Sequence, residues 1–412
     1  MRARCLLILL AGCSLHTAGA LRQEDVRVEL SGQLMTTLDR QDHYFASERE
    51  RRAFALRLEG IAHGTDDAAS YYRGVSDALA ELEEGHTGLV GSSQVPFSNT
   101  IPPVALLEAG GQTVVAGVAP GIESGGLRAG DVILEIDGRP AAGLLEERVG
   151  VTAGSTPHAR RARAVANLLA GPTRKPAAVR VRGSDGRERH GYPLRFLLDD
   201  EGMDRFRFGF LPHEVRALQL SAKAGYISLP DFHPERRRQF EAALEALRRH
   251  PILIVDLRGN PGGRIRTLQR VAGLFLDEPV ELLRLLDDGV EESLQAAPGP
   301  LRYKGDVRIL IDERTGSAAE LLAAALQDLR RATLYGRPTA GSARSRLSLL
   351  LPGGVVLHYA GRAEFRRRDG RPIEGVGVEP DVTYHPSRTD LARGVYGDPQ
   401  RDPAVRLALG RD

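Results

Sequence analysis

Ser317 is the residue of this chain whose surroundings in the sequence are best suited to chemistry. An apolar strand at 307–311 runs into a Thr-Gly turn, and the serine then begins a helix rich in alanine and leucine. The unpaired N–H groups and partial positive charge of a helix N-terminus could stabilise an alkoxide or the oxyanion of a tetrahedral intermediate. The pattern therefore favours a nucleophile at Ser317. The alternative is that Ser317 only caps the helix, because serine is among the preferred N-cap residues.

A second candidate segment is the loop Asp-Leu-Arg-Gly-Asn-Pro-Gly-Gly at 256–263, which follows a short apolar strand at 251–256. Glycine lets backbone N–H groups approach a ligand closely. We expect the N–H of Gly262 or Gly263 to form an oxyanion hole together with the N–H of Ala318. The alternative is an ordinary turn, which a loop of this composition also forms.

The first 20 residues have the pattern of an export signal. Met-Arg-Ala-Arg is followed by an apolar run at 5–11 that is too short for a membrane span, and then by small residues. Leu-Ala-Gly-Cys at 10–13 resembles a bacterial lipobox, which would leave a lipid-modified Cys13 as the first residue. Ala-Gly-Ala at 18–20 resembles an ordinary signal-peptidase site. Both interpretations predict a protein of the bacterial cell envelope or periplasm, and the first adds a membrane anchor.

The composition limits the other groups that could do chemistry. The net charge is +2 with interspersed charges, which gives no sign of a nucleic-acid partner. Three of the 56 basic residues are lysines, at Lys175, Lys223 and Lys304, and arginine cannot act as a base. The two cysteines both lie in the leader, so a thiol nucleophile and a thiolate metal site are excluded. The pattern His-Glu-x-x-His does not occur, which argues against a metalloprotease.

Behind the leader the sequence changes character, and we predict an α/β fold within a multidomain α+β chain. Residues 21–97 repeat apolar positions at helical spacing, which predicts an N-terminal helical region. Residues 98–197 contain short β-type runs at 114–116, 132–136 and 178–181, which predict strands, and these runs are punctuated by glycines. Residues 198–390 alternate apolar strands with helices, which is typical of βαβ units and a mainly parallel sheet. Residues 391–412 are predicted as a C-terminal tail.

The middle region resembles a PDZ domain. The match to Gly-Leu-x-x-Gly-Asp-x-Ile-Leu-x-Ile-Asp-Gly spans 126–138, and we expect the helix of the binding groove at 156–169. PDZ domains bind extended peptides by adding a strand to a sheet edge, and they often capture a C-terminal carboxylate. The alternative is a generic small β-domain with Asp-Gly turns.

The order of these features resembles the carboxyl-terminal processing proteases. The resemblance rests on the loop at 256–263 and on Glu-Arg-Thr-Gly-Ser-Ala-Ala-Glu at 313–320, behind an export signal, a helical region and a PDZ domain. It covers nearly the whole chain. It implies a serine endopeptidase whose crotonase-like α/β core carries an inserted PDZ domain, and it places Ser317 at the position of the nucleophile.

The chain departs from the main branch of this family at the catalytic base. That branch has a lysine after the serine in a Thr-x-Gly-Lys motif, whereas this chain has Thr-Ala-Gly-Ser at 339–342, with Ser342 in place of the lysine. A branch without the lysine includes the tricorn protease core and the interphotoreceptor retinoid-binding protein. The tricorn core uses a histidine before its PDZ domain and a glutamate near its C-terminal end. Glu-Gly-His-Thr-Gly-Leu at 84–89 resembles the first of these segments, and Ile-Glu-Gly-Val-Gly-Val at 373–378 resembles the second.

The resemblance to this second branch implies that His86 is the base and that Glu374 orients or polarises the site. His86 would take the proton of the serine and later give it to the leaving amine. Alternatives stay open for each residue. His86 could only order the turn that leaves the helical region, and His233 is a rival that could equally be a loop or helix-start residue. Glu374 could simply pair with Arg371 or Arg362.

The sequence therefore predicts an exported serine endopeptidase that forms an acyl-enzyme on Ser317 and needs no cofactor. Its partners would be polypeptides that are unfolded or present a C-terminal tail, positioned by the PDZ domain. One alternative is a catalytically inactive peptide- or ligand-binding scaffold of the same fold, which the missing lysine keeps open. Another is a crotonase-type acyl-CoA enzyme, which would leave the export signal and the PDZ domain without a role. The sequence does not indicate the oligomeric state.

Overall fold

The computed structural model describes residues 19–92, 94–95, 101–118, 124–171, 175–195 and 214–410. The chain divides into two compact units, one of residues 1–98 and 344–363 and one of residues 99–343 and 364–412. The lipobox with Cys13 lies outside the described residues, so its lipidation stays a prediction. Within the described ranges, no helix has the length and apolar character needed to cross a membrane.

The first unit contains three α-helices among its described residues: α1 (Glu24–Asp39), α2 (Glu48–His63) and α3 (Ala68–Ala80). The side chains of Ser47 and Asp67 cap α2 and α3, because each accepts a backbone N–H of the first turn. Apolar and aromatic residues at helical spacing hold the helices together, among them Leu34, Leu38, Phe54, Leu58 and Tyr71. The helices predicted for this part of the chain are confirmed.

Strands that the sequence did not predict complete the first unit. β1 (Gly88–Val90) pairs antiparallel with β16 (Val356–Arg366), whose residues up to 363 belong to this unit. β15 (Arg344–Leu350) also pairs with β16. Residues 344–363, which contain β15 and most of β16, pack into the helical core through Leu351, Val355, Leu357 and Ala360. Because they lie far from the helices in sequence, no local pattern could predict this pairing.

The second unit contains an antiparallel sheet of six strands with two helices. Its elements are β2 (Val104–Ala109), β3 (Gln112–Val118), β4 (Val132–Ile136), β5 (Arg139–Pro140), α4 (Ala141–Gly150), α5 (Pro157–Ala166), β6 (Val179–Arg182) and β7 (Glu188–Gly191). The strand order β2-β3-β4-β6-β7, with β5 beside β4, leaves β2 at an edge of the described sheet. The strands predicted at 114–116, 132–136 and 178–181 and the helix expected at 156–169 are confirmed.

The second unit also contains a mainly parallel sheet of six strands. Its elements are β8 (Ala217–Ser221), β9 (Ala224–Ser228), α6 (Pro234–Leu247), β10 (Ile252–Asp256), α7 (Ile265–Ala272), β13 (Asp306–Ile311), α8 (Ala318–Asp328), β14 (Ala332–Gly336) and β17 (Val382–Thr383). The strand order is β17-β14-β13-β10-β9-β8, and only the β8–β9 pair is antiparallel. The predicted βαβ arrangement is confirmed. A separate hairpin of β11 (Val280–Asp287) and β12 (Val290–Ala296) pairs with the end of β16.

Both faces of the parallel sheet are covered, which explains why β10 is apolar at four successive positions. Leu253 and Val255 face the core formed with α6, α7 and α8, whereas Ile254 faces the opposite side. On that side, residues 404–408 of α10 (Pro403–Ala408) pack against the sheet. The C-terminal residues, which also form α9 (Arg388–Ala392), are therefore part of the packed unit.

Candidate active site

One buried carboxylate holds the turn between β13 and α8. Asp312 follows β13 directly, and its side chain accepts the N–H groups of Gly259 (2.8 Å) and Arg314 (3.1 Å). The hydroxyl of Thr315 closes the turn by accepting the N–H of Asp312 (3.0 Å). Burial alone would raise the pKa of Asp312, but nearby arginines, Arg314 foremost, outweigh it and lower that pKa. The turn that carries the serine is thus fastened to the glycine loop.

Ser317 begins α8 with a backbone conformation that ordinary N-cap residues do not adopt. Its φ is 51° and its ψ is −129°, a region that residues other than glycine rarely occupy. Three other helices begin at a serine or threonine with negative φ: Ser47 (−152°), Thr156 (−127°) and Ser387 (−83°). Such strain costs roughly 1–3 kcal/mol and clusters at active sites. The conformation therefore favours a nucleophile turn over a simple cap.

Gly262 lies directly against this turn. Its φ is 96°, and a Cβ atom added to it would lie 2.6 Å from Ser317 Cβ and 2.7 Å from the Ala318 nitrogen. No side chain fits at these distances, so the position requires glycine. The structure thus brings together the glycine loop and the serine, which are far apart in sequence.

Two backbone N–H groups at this junction are available to an oxyanion. The N–H of Gly262 donates to Asn260 Oδ1 (2.8 Å). Among the residues that the structure describes, neither Gly263 nor Ala318 has an acceptor for its N–H. Unengaged N–H groups next to a serine can stabilise a tetrahedral oxyanion. Of the three residues expected for the oxyanion hole, Gly262 supplies the close approach, and Gly263 and Ala318 are the candidate donors.

A fully buried carboxylate, Glu320, joins the serine turn to the loop at 339–342. Its Oε1 accepts the N–H groups of Ser317 and Ser342, each at 2.8 Å. Its Oε2 accepts the Thr339 hydroxyl (2.7 Å) and the Gly341 N–H (2.8 Å). Sequence reasoning missed this role, although a serine followed three residues later by glutamate is the signature of a capping box.

Glu374 lies beside the same loop. Its Oε2 accepts the N–H of Ala343 (2.6 Å), and the carbonyl of the preceding Ser342 accepts the N–H of Ser317 (3.2 Å). Burial and, to a smaller extent, the charge of Glu374 raise the pKa of Glu320 to about 7. The two carboxylates and the serine turn therefore meet at one loop.

The two arginines considered as partners of Glu374 both pair with aspartates. Arg371 Nε lies 2.6 Å from Asp369 Oδ2 in the second unit. Arg362 Nε lies 3.2 Å from Asp42 Oδ2 in the first unit. The hydrogen bond from the Ala343 N–H fixes the position of the Glu374 carboxylate beside the loop.

His86 belongs to the first unit, in the turn that precedes β1. The carboxylate of Glu84 orders this turn, since its Oε2 accepts the N–H of His86 (2.8 Å) and the hydroxyl of Thr87 (2.6 Å). The Thr87 hydroxyl also lies 2.7 Å from Tyr44 Oη. His86 and Ser317 belong to different units, and the role of His86 as the base stays a prediction.

The rival histidine has a structural role. His233 begins α6, and its Nδ1 accepts the N–H of Glu235 at 3.4 Å, which confirms the helix-start interpretation. Within the described part of the chain, no group of three or more His, Cys, Asp or Glu side chains is arranged to hold a metal ion.

The glycine loop rests on a buried ionic network that the sequence did not reveal. Arg258 pairs with Asp256 (2.7 Å) and Asp402 (2.9 Å), and its guanidinium lies 5.0 Å from the centre of the Tyr396 ring. Because all three charges are buried, removal of Arg258 would leave two carboxylates without the cation that they share. Asp402 and Tyr396 come from the C-terminal segment, which therefore supports the loop next to Ser317.

A groove between β2 and α5 lies next to the loop at 339–342, because the start of α5 contacts that loop. Its cavity of about 110 Å³ is lined by Leu106 of β2, by Ala162 and Val165 of α5, and by Arg314 and Arg337, which follow β13 and β14, among others. At the start of α5, Thr156 Oγ1 donates to Ala340 O (3.1 Å) and His158 Nε2 donates to Thr339 O (2.7 Å). The helix that lines the groove thus contacts the loop that Glu320 holds.

Sequence comparison finds relatives of the second half of the chain. Residues 223–384 match the family model described as Peptidase family S41. A probable CtpA-like serine protease of Staphylococcus aureus (strain COL) is 28% identical over 165 residues, 39% of this chain and 33% of that protein. Carboxyl-terminal-processing peptidase 3, chloroplastic, of Arabidopsis thaliana is 32% identical over 175 residues, 42% of this chain and 33% of that protein. The matches thus span a third of the length of these relatives.

Structure comparison extends the similarity to most of the chain. The crystal structure of mature CPAF has a TM-score of 0.73 at 15% identity, over 93% of this chain and 98% of that chain. The photosystem II D1 C-terminal processing protease gives 0.52 at 21% identity, over 92% and 99%. The tricorn protease gives 0.51 at 18% identity, over 94% and 36%. At these identities the similarity establishes a shared fold, and the predicted mixed α/β class is confirmed.

Proposed function

We propose that this protein is a serine endopeptidase of the carboxyl-terminal processing type, since residues 223–384 match the model of peptidase family S41. The observation that carries the proposal is the Ser317 turn. A serine with positive φ packs against Gly262, next to two N–H groups that have no acceptor among the described residues. A helix cap needs neither the positive φ nor the contact with Gly262, and unengaged N–H groups beside a serine are what an oxyanion hole requires.

In the proposed reaction, Ser317 Oγ attacks the carbonyl carbon of a peptide bond while His86 takes the hydroxyl proton. The N–H groups of Gly263 and Ala318 donate to the oxyanion that forms. Collapse of the tetrahedral intermediate breaks the C–N bond, and His86 returns the proton to the leaving amine. Water then attacks the acyl carbon while His86 takes its proton. The ester C–O bond breaks, His86 returns the proton to Ser317 Oγ, and the acyl group leaves as a carboxylic acid.

Glu374 and Ser342 complete the proposed site. We assign to Glu374 the orientation or polarisation of the reacting groups, and its hydrogen bond to the loop beside the serine supports this assignment. Ser342 occupies the position of the lysine of the main branch, but a neutral hydroxyl is no base near pH 7. The proposal therefore gives the proton transfer to His86.

The domain assignment is also part of the proposal. Residues 98–197 would be a PDZ domain and 198–390 a crotonase-like core. The exposed edge of β2 beside α5 supports the first assignment, because an extended peptide could add to that edge as a strand. The substrate would be an unfolded polypeptide or one that presents a C-terminal tail. Export to the cell envelope, with a lipid on Cys13, rests on the leader sequence alone.

Labelling with a fluorophosphonate tests the proposal. We expect the wild type to be labelled, Ser317→Ala not to be labelled, and His86→Ala to be labelled about 100-fold more slowly, which is the usual contribution of a general base. His233→Ala is the matched control and should be labelled at the wild-type rate, because that histidine only caps α6. A folded wild type that neither reacts with the probe nor cleaves an unfolded polypeptide would favour the binding scaffold instead.

A further inference from the structure

Glu320 makes more contacts than a helix start requires. A capping box needs the acidic residue at the fourth position to accept only the backbone N–H of the cap residue. The Ser317 N–H meets this need with one hydrogen bond to Glu320 Oε1. The other three donors to the carboxylate, from Thr339, Gly341 and Ser342, all come from the loop at 339–342. The side chain therefore serves two segments of the chain at once.

The energetic cost of this arrangement indicates that it is specific. Glu320 is fully buried, and no cation pairs with it in the part of the chain that the structure describes. The nearby charge of Glu374 has the same sign, and His158 contacts the far side of the loop through Thr339 O. An ionised carboxylate without a cation is costly to bury, and its four hydrogen bonds offset that cost only while the loop stays in place.

The loop that Glu320 holds sets the backbone of the serine. The Ser342 carbonyl accepts the N–H of Ser317 (3.2 Å), and the next residue, Ala343, donates its N–H to Glu374. A loop displaced from Glu320 would release the Ser317 turn on one side and Glu374 on the other. A shift of about 1 Å at a reacting group can cost roughly 100-fold in rate.

We propose that Glu320 is a positioning residue that locks the Ser317 turn to the loop at 339–342 and so holds the serine and Glu374 in a fixed relation. The inference rests on the proposed function, because it takes Ser317 as the nucleophile. It assigns no proton transfer to Glu320.

Glu320→Asp separates this role from helix capping. Asp390 shows that aspartate suffices for a capping box in this protein, since it accepts the N–H of Ser387 and its own N–H donates to the Ser387 hydroxyl. An aspartate at 320 would therefore still cap α8, but it is one methylene too short to reach the loop as well. Asp390→Glu is the matched control, because it makes the reverse change at a helix start away from the serine.

We expect Glu320→Asp to lower kcat about 10- to 100-fold while KM stays within about threefold, because a misplaced nucleophile slows the chemical step without removing substrate contacts. Hydrogen exchange of the Gly341 and Ser342 amides should become at least about tenfold faster, while the amides of residues 321–326 stay protected. Asp390→Glu should keep wild-type kcat and loop protection. If Glu320→Asp does not fold, Glu320→Gln is measured in the same way. Its amide has one acceptor oxygen and so cannot accept all four hydrogen bonds of the carboxylate.

Wild-type kcat together with wild-type loop exchange in a folded Glu320→Asp protein would overturn the inference and leave Glu320 as a cap. The exchange measurement also separates this outcome from failure of the proposed function. If the wild type is inactive, faster exchange at 341–342 still supports the lock, whereas unchanged exchange refutes it.

Discussion

Two helices of this protein begin with the same local motif but differ in their surroundings. Ser387 and Asp390 start α9 as a capping box, with the serine at φ −83° and both side chains at the surface or partly exposed. Ser317 and Glu320 start α8 with the same spacing, but the serine has φ 51° and the glutamate is fully buried. The first arrangement satisfies a helix end. The second adds strain and a buried charge, neither of which stabilises the fold.

The difference shows how a cap can be distinguished from a nucleophile turn. Capping needs an extended backbone and a side-chain oxygen that accepts an N–H of the first turn. At Ser317 the fold instead maintains a conformation that costs free energy, and it places Gly262 where no other residue fits. Strain and crowding of this kind persist where function requires them. The substitutions below test whether the start of α8 carries this strain, crowding and buried carboxylate.

The largest effect is expected beside Ser317, at Gly262. Gly262→Ala would place a methyl group 2.6 Å from Ser317 Cβ, so we expect a loss of about 3 kcal/mol of stability and at least about 100-fold in labelling rate. Gly138→Ala is the control, because Gly138 also has a positive φ (78°) but no atom within 4 Å of the added methyl. It should cost about 1 kcal/mol and leave labelling unchanged. Equal effects of the two substitutions in urea unfolding and labelling would contradict the crowding at Ser317.

The next effect is confined to stability and should appear in its pH dependence. Burial raises the pKa of Glu320 from 4.5 to about 7, so folding favours the neutral carboxyl. This contribution to stability is fully present below about pH 4.5 and is lost as the pH rises through about 7. Glu320→Gln has no proton to lose. The free energy of unfolding of the wild type minus that of the variant should therefore fall by on the order of 3 kcal/mol between pH 4.5 and pH 8. Urea titrations that give a pH-independent difference would refute the shift.

The smallest effect should have opposite signs at the two serines. Glycine adopts positive φ without strain, so Ser317→Gly should raise the free energy of unfolding by about 1 kcal/mol. At Ser387 the backbone is relaxed and the hydroxyl is used, so Ser387→Gly should lower it by about 0.3 kcal/mol. Thermal unfolding of both variants checks the signs. Destabilisation at Ser317 would mean that its conformation is not strained.

The sequence predicts most of the elements but not how distant ones meet. Periodicity and turn residues suffice for β10, α6 and α8, because these depend on residues close in the chain. The Thr-Gly turn likewise identifies Ser317. The packing of 344–363 onto the N-terminal helices, the link between Arg258 and Asp402, and the contacts of Glu320 with 339–342 all join distant segments. Composition and spacing carry no information on such pairings, because the segments come into contact only when the chain has folded.

Identification of the residue that reacts with a fluorophosphonate tests the central claim most directly. The full-length protein would be incubated with the probe, digested and examined by mass spectrometry. The account predicts one stoichiometric adduct on Ser317 and none on Ser387, although both serines begin a helix with an acidic residue three positions later. A folded protein without an adduct, or with an adduct on another serine, would contradict it.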